Sequence, residues 1–144
     1  MKVKKQVFRI ITAAAVLFIL ALTLSVLLSA VCLRTVHYEI ELRGLQSKVR
    51  LVLLSDLHCK SFGKDNARLL AKIEAQSPDA ICLAGDMIDR NADAEDVQKF
   101  LDFVKALCKI APVFFSPGNH ELGYMASDEL LLDRIEKSGA AVFN

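Results

Sequence analysis

Three short segments hold the residue types that bind divalent ions. Ser55-Asp56-Leu57-His58, Gly85-Asp86-Met87-Ile88-Asp89-Arg90 and Ser116-Pro117-Gly118-Asn119-His120-Glu121 each place Asp, Asn or His just past an apolar run. In Asp56-x-His58 the two ligands stand at i and i+2, a spacing that lets both converge on one ion where a strand gives way to a loop. Gly85 and Gly118 let the backbone turn sharply, so that Asp86 and Asn119 point back over the strand ends. Carboxylate, imidazole and amide oxygen suit Mn²⁺, Fe²⁺, Zn²⁺ or Mg²⁺ better than a thiolate site would. Taken singly, each segment is an ordinary turn, since Asp, Asn and Gly are common turn residues. All three in order, each after an expected strand, point to a metal centre.

The elements that must position these loops follow from periodicity. Val36, Tyr38, Ile40 and Leu42 alternate with His37, Glu39 and Glu41, which predicts a half-buried strand. Arg43 to Ser47 reads as a turn, and Val49 to Ser55 as a more buried strand. A helix capped by Asp65 runs to Ser77, and Pro78 ends it. Ala80–Ala84 is a short apolar strand, and Asp93–Lys109 a helix with Val97, Phe100, Leu101, Val104 and Cys108 at helical spacing. Pro112 opens a strand over Val113–Phe115, Ser127 caps a last helix stopped by Gly139, and Ala140–Phe143 begins another strand. Alternating strands and helices predict an α/β sheet with parallel pairs, in which ligands gather at the carboxyl ends of the strands. Cys59, Cys82 and Cys108 form no C-x-x-C, and Cys82 and Cys108 read as core packing.

Ahead of this body, Ile10 to Leu33 carries no charge and no Pro. Such a helix is about 36 Å long, enough to cross a hydrocarbon core of about 30 Å. The exit Leu28-Ser29-Ala30-Val31-Cys32 matches a cleavage site poorly, so the run reads as an uncleaved anchor. Lys2, Lys4, Lys5 and Arg9 precede it and only Arg34 follows closely, which keeps the N-terminus cytoplasmic and sends the body across the membrane. Residues 1–9 are then a basic tip, 10–33 a single-pass anchor and 34–144 one domain. Past the anchor tip the other 14 Lys/Arg face 17 Asp/Glu, an acidic balance that argues against nucleic-acid binding. The 53% hydrophobic content argues against disorder.

From Val49 to Glu121 the chain resembles the calcineurin-like metallophosphoesterases, whose pattern is D-x-H, G-D-x-x-D, G-N-H-[DE], a lone His, then G-H-x-H. The anchor followed by Leu54-Ser55-Asp56-Leu57-His58 is most similar to the membrane-anchored bacterial branch. The resemblance implies the N-terminal half of a metallophosphoesterase β-sandwich flanked by helices. It implies two divalent metal ions, with Asp56 and His58 on the first, Asp86 bridging both and Asn119 on the second. His120 would face the scissile phosphate as leaving-group acid or hydrogen-bond donor, with Glu121 orienting it. Asp89 would brace its loop, and Arg90 would contact phosphate. The implied reaction is hydrolysis of phosphate mono- or diesters by metal-bound hydroxide, which needs no Ser or Cys nucleophile, so Cys59 need not be one. An anchored site favours lipid-linked or envelope phosphates.

The lone His and the G-H-x-H do not occur in this sequence, and His37 is the only other histidine. The chain is therefore expected to be the N-terminal part of such an enzyme and inactive alone. The alternative expectation is a catalytically silent membrane-anchored binding protein or decaying fragment.

Overall fold

The computed structural model describes the backbone of residues 2–143 and the side chains of residues 5–27 and 32–143. Lys2 and Lys4 of the basic tip thus lie outside the described side chains. The chain divides into two units, residues 1–40 and 41–144.

The first unit is built on α1 (Lys2–Val31). Its stretch Lys5–Leu27 is 23 residues long and apolar enough to cross a membrane, a form that a signal sequence shares. Thr12 Oγ1 donates to the Phe8 carbonyl and Thr23 Oγ1 to that of Leu20, each at 2.9 Å. The helix therefore satisfies these polar groups internally, as a hydrocarbon environment demands.

Among its described residues the second unit holds four strands, four α-helices and one 3₁₀ turn. In order these are β1 (Leu51–Leu54), a 3₁₀ turn (Lys64–Asn66), α2 (Ala67–Glu74), β2 (Ala80–Ala84) and α3 (Ala94–Leu107). Then come β3 (Val113–Ser116), α4 (Asn119–Tyr124), α5 (Leu131–Lys137) and β4 (Ala141–Val142). The strands pair in sequence order β1-β2-β3-β4, all parallel. This is the expected α/β half-sandwich, with helices supplying each crossover.

The core lies on one face of the sheet. Ile81, Leu83, Val113 and Phe115 pack there against Leu69 and Ile73 of α2, Val97, Val104 and Leu107 of α3, and Leu131 and Ile135 of α5. The other face is apolar as well, yet no described element of this unit covers it. Leu51 and Leu53 are 61% and 68% exposed, and Phe114 stacks on Phe143 with ring centroids 5.7 Å apart. Cys82 sits on this open face, half-buried and with a free thiol, rather than in the core. Cys108 is half-buried beside Gly139, and burial pushes its thiol pKa up.

Three local expectations are corrected. The alternating segment from Val36 to Leu42 forms no strand, and Tyr38 and Ile40 are 83% and 79% exposed. Alternation suits a segment to a sheet face, but a strand exists only by pairing, and no described segment pairs with this one. Asp65 does not cap α2; it lies in the 3₁₀ turn, and the cap position is taken by Asn66. The Asn66 side chain instead accepts the Phe62 N–H at 2.8 Å, closing the preceding loop. Ser127 caps no helix either, since its hydroxyl donates back to the Tyr124 carbonyl at 2.7 Å and α5 begins four residues later. Asp93, where a helix was expected to begin, caps α3 by accepting the Asp96 N–H at 2.8 Å.

Leu107 is fully buried between α3 and the sheet. Leu107→Ala is expected to cost about 2–5 kcal/mol of stability, read by urea denaturation followed by circular dichroism; a loss below about 1 kcal/mol would contradict the described core.

Candidate metal centre

Parallel strands in the order β1-β2-β3 bring their carboxyl ends, and hence the three loops, side by side. The first two loops continue the ladder beyond the strands. Asp56, His58 and Cys59 donate their amides to the carbonyls of Gly85, Asp86 and Met87 at 3.2, 3.0 and 3.0 Å. Asp56, His58 and Asp86 all adopt the left-handed backbone, with φ of 56°, 49° and 55°. Few non-glycine residues do so, and at functional sites such backbone persists only where surrounding bonds over-determine it.

The second and third loops meet through two glycines. Gly85 has φ of +75°, and a Cβ on it would stand 2.6 Å from the Gly118 Cα. A Cβ on Gly118 would stand 2.6 Å from the Asp86 amide nitrogen. Close backbone approach here admits no side chain, which is the physical content of Gly in both motifs.

This packing gathers His58, Asp86 and His120, each offering one ligand atom with all three atoms within 4.8 Å of one another. The two imidazoles meet edge to face, with centroids 4.6 Å apart and planes at 80°. Asp56 lies beside them, its Oδ1 3.9 Å from His58 Nε2. Asn119 opens α4 on the same rim and is exposed. Asp86 Oδ1 accepts the His120 amide at 3.0 Å, tying the second loop to the third. These donors, imidazole and carboxylate at one opening, fit a borderline divalent cation.

The remaining motif residues hold the donors. Asp89 Oδ1 stands 2.8 Å from His58 Nδ1 and 3.6 Å from His120 Nδ1. A carboxylate on one ring nitrogen fixes an imidazole's orientation and leaves Nε2 to face an ion. The Arg90 amide lies 3.2 Å from His120 Nδ1. The Arg90 side chain is exposed and runs along Gly123 of α4, where a Cβ would stand 2.9 Å from Arg90 Cγ. Glu121 is fully buried, and its carboxylate accepts four backbone amides, those of Asp86, Met87, Ile88 and Gly118. The sequence carried a signal for part of this: Gly118-x-x-Glu121 is the spacing at which a third-position Glu reaches back to a helix cap amide. Its reach into the second loop had no such signal. Burial pushes the Cys59 thiol pKa up, although the Asp89 amide donates to its sulfur at 3.2 Å and draws it down. The half-buried Cys59 thiol packs here and accepts the Asp89 amide.

The sequence profile of the calcineurin-like phosphoesterases matches residues 49–142, more than half of the chain. The chain belongs to that family. It is also 28% identical over 95 residues to an uncharacterised metallophosphoesterase of Campylobacter jejuni. That match takes in 65% of this chain and 25% of the relative, so the chain spans about a quarter of the relative's length. The profile match spans Asp56 to Glu121, the stretch that carries every residue of the candidate site.

Because Gly118 has no room for a Cβ, Gly118→Ala is expected to cost about 1–3 kcal/mol and to weaken Mn²⁺ binding together with stability. Isothermal titration and thermal melting would check both, and an unchanged titration would contradict the described loop packing.

Proposed function

We propose that the chain supplies the first part of a two-metal phosphoesterase that hydrolyses phosphate mono- or diesters. The observation that carries this reading is the convergence of His58, Asp86 and His120 at one sheet edge within a phosphoesterase family domain. Asp56 and His58 would hold one ion, Asp86 would bridge to a second, and Asn119 would hold that one. When bound, such a pair lowers the pKa of water and neutralises charge on phosphoryl oxygens.

The chain's own residues would do the rest. Because His120 Nδ1 faces the Arg90 amide, a neutral His120 ring carries its proton on Nε2. That supports a donor role, with Nε2–H giving its proton to the leaving alkoxide as the P–O bond breaks, over a role as metal ligand. Arg90, exposed beside the opening, would neutralise a substrate phosphate oxygen. Glu121 would hold the loops that carry Asp86 and His120.

Residues 1–9, 10–33 and 34–144 would be basic tip, membrane anchor and phosphoesterase part, in a single-pass cell-membrane protein with a cytoplasmic N-terminus. This supports a place in the membrane-anchored bacterial branch and substrates that are lipid-linked or belong to the envelope. With only Asp86 and Asn119 available to the second ion, the residues here would hold it weakly. The chain by itself would then be inactive, and catalysis would need further imidazole donors.

The decisive assay is hydrolysis of bis-p-nitrophenyl phosphate with Mn²⁺, run on this chain alone and on the protein extended by whatever its reading frame encodes after codon 144. Activity is expected only in the extended form. There, Asp86→Asn and His120→Ala should each lower the rate by about 10²-fold or more, and near-normal turnover by either would refute the assignment. If the frame closes at codon 144, the silent binding protein is the reading that survives. Separately, a reporter active only outside the cytoplasm, fused at Asn144, should be active; a dead fusion would reverse the topology.

A further inference from the structure

The second loop is bonded on both sides, and the two sides differ in kind. Its carbonyls, from Gly85 to Met87, take amides from the first loop. Its own amides, of Asp86, Met87 and Ile88, find no backbone partner and converge on one side chain. Glu121 Oε1 accepts Met87 and Ile88 at 2.6 and 3.0 Å. Oε2 accepts Asp86 and the Gly118 amide at 2.8 and 2.9 Å. Successive amides that converge in this way, with a left-handed residue (here Asp86, φ 55°) among them, form an anion-binding nest. Each oxygen takes two backbone donors. A carboxylate fits this setting, whereas an amide would turn its NH₂ against two N–H groups.

We infer that Glu121 is a positioning residue, an internal anion that fills a backbone nest in the second loop and thereby fixes Asp86 in its left-handed conformation. This deepens the proposed metal-centre reading and rests on it for its connection to metal. The carboxylate binds no ion itself. It acts through Asp86, whose backbone it holds and whose Oδ1 in turn receives the His120 amide at 3.0 Å. One side chain of the third loop thus sets the registry of all three loops, since the second loop is zipped to the first.

A nest that holds a covalently attached carboxylate should also hold a free one of the same shape. In Glu121→Ala the alanine keeps Cβ, and acetate matches the missing Cγ and carboxylate. The test is Co²⁺ titration of the full chain in detergent micelles, well below its melting temperature. Glu121→Ala should bind Co²⁺ about 10–100-fold more weakly than wild type. Acetate at about 0.1 M should recover most of that loss, while acetamide, which carries no charge, should recover none. Wild type in the same acetate controls for ion pairing in solution, and Leu107→Ala controls for lost stability without a nest. Unchanged affinity in Glu121→Ala, or equal effects of acetate and acetamide, would overturn the inference.

Hydrogen exchange on the wild-type chain decides the matter if the variant does not fold. The amides of Asp86, Met87 and Ile88 should be protected at least about 100-fold against free-peptide rates; exchange at free rates would overturn the nest. If wild type takes up no Co²⁺, the metal-centre reading falls and these amides judge the nest by themselves.

Discussion

Everything at the sheet edge depends on how closely two backbones approach. Gly85 and Gly118 touch with no side chain between them. That contact brings the third loop near enough for the Glu121 carboxylate to reach the amides of the second. It also lets the His120 amide reach Asp86 Oδ1. Separate the two chains by the width of one methyl group and both links stretch beyond hydrogen-bond range. The motifs G-D and G-N-H are therefore statements about distance before they are statements about ligands. The parallel register of β1, β2 and β3 supplies the coarse alignment, and the glycines supply the last few tenths of an ångström.

The donors show a division of labour. His58 and His120 each have Nδ1 engaged, one by Asp89 Oδ1 and the other by the Arg90 amide. Both rings are thus oriented in advance, which would lower the ordering cost of ion binding at His58 and of proton donation at His120. The left-handed backbone at Asp56, His58 and Asp86 is sustained by bonds between the first and second loops. Strain and its compensation sit within a few residues of each other.

The sequence displayed β2, β3 and α3 plainly, because short apolar runs and a 3.6-residue period with a capping Asp93 have few other solutions. The three motifs were equally legible, since their spacing relative to strand ends is local. Legibility failed where the outcome depends on a partner. Val36 to Leu42 has the alternation of a strand but pairs with no described segment, so it forms no regular element and is exposed. Asp65 and Ser127 are good capping residues, yet Asn66 and the Tyr124 carbonyl made competing bonds. Asp89 could be read as a brace for its loop, but its grip on His58 joins residues 31 positions apart, which no local pattern encodes.

The open sheet face carries its own consequence. Leu51 and Leu53 of β1 and Phe114 of β3 lie on strands that also end in the candidate-site loops, and Phe143, just past β4, stacks on Phe114. Covering a large apolar side chain contributes about 1.5–3 kcal/mol, so a layer seated on this face would pull on the same strands that aim Asp56, Asp86 and Asn119. The sheet is in that sense a shared beam. Covering the open face and presenting the three loops therefore draw on the same short strands.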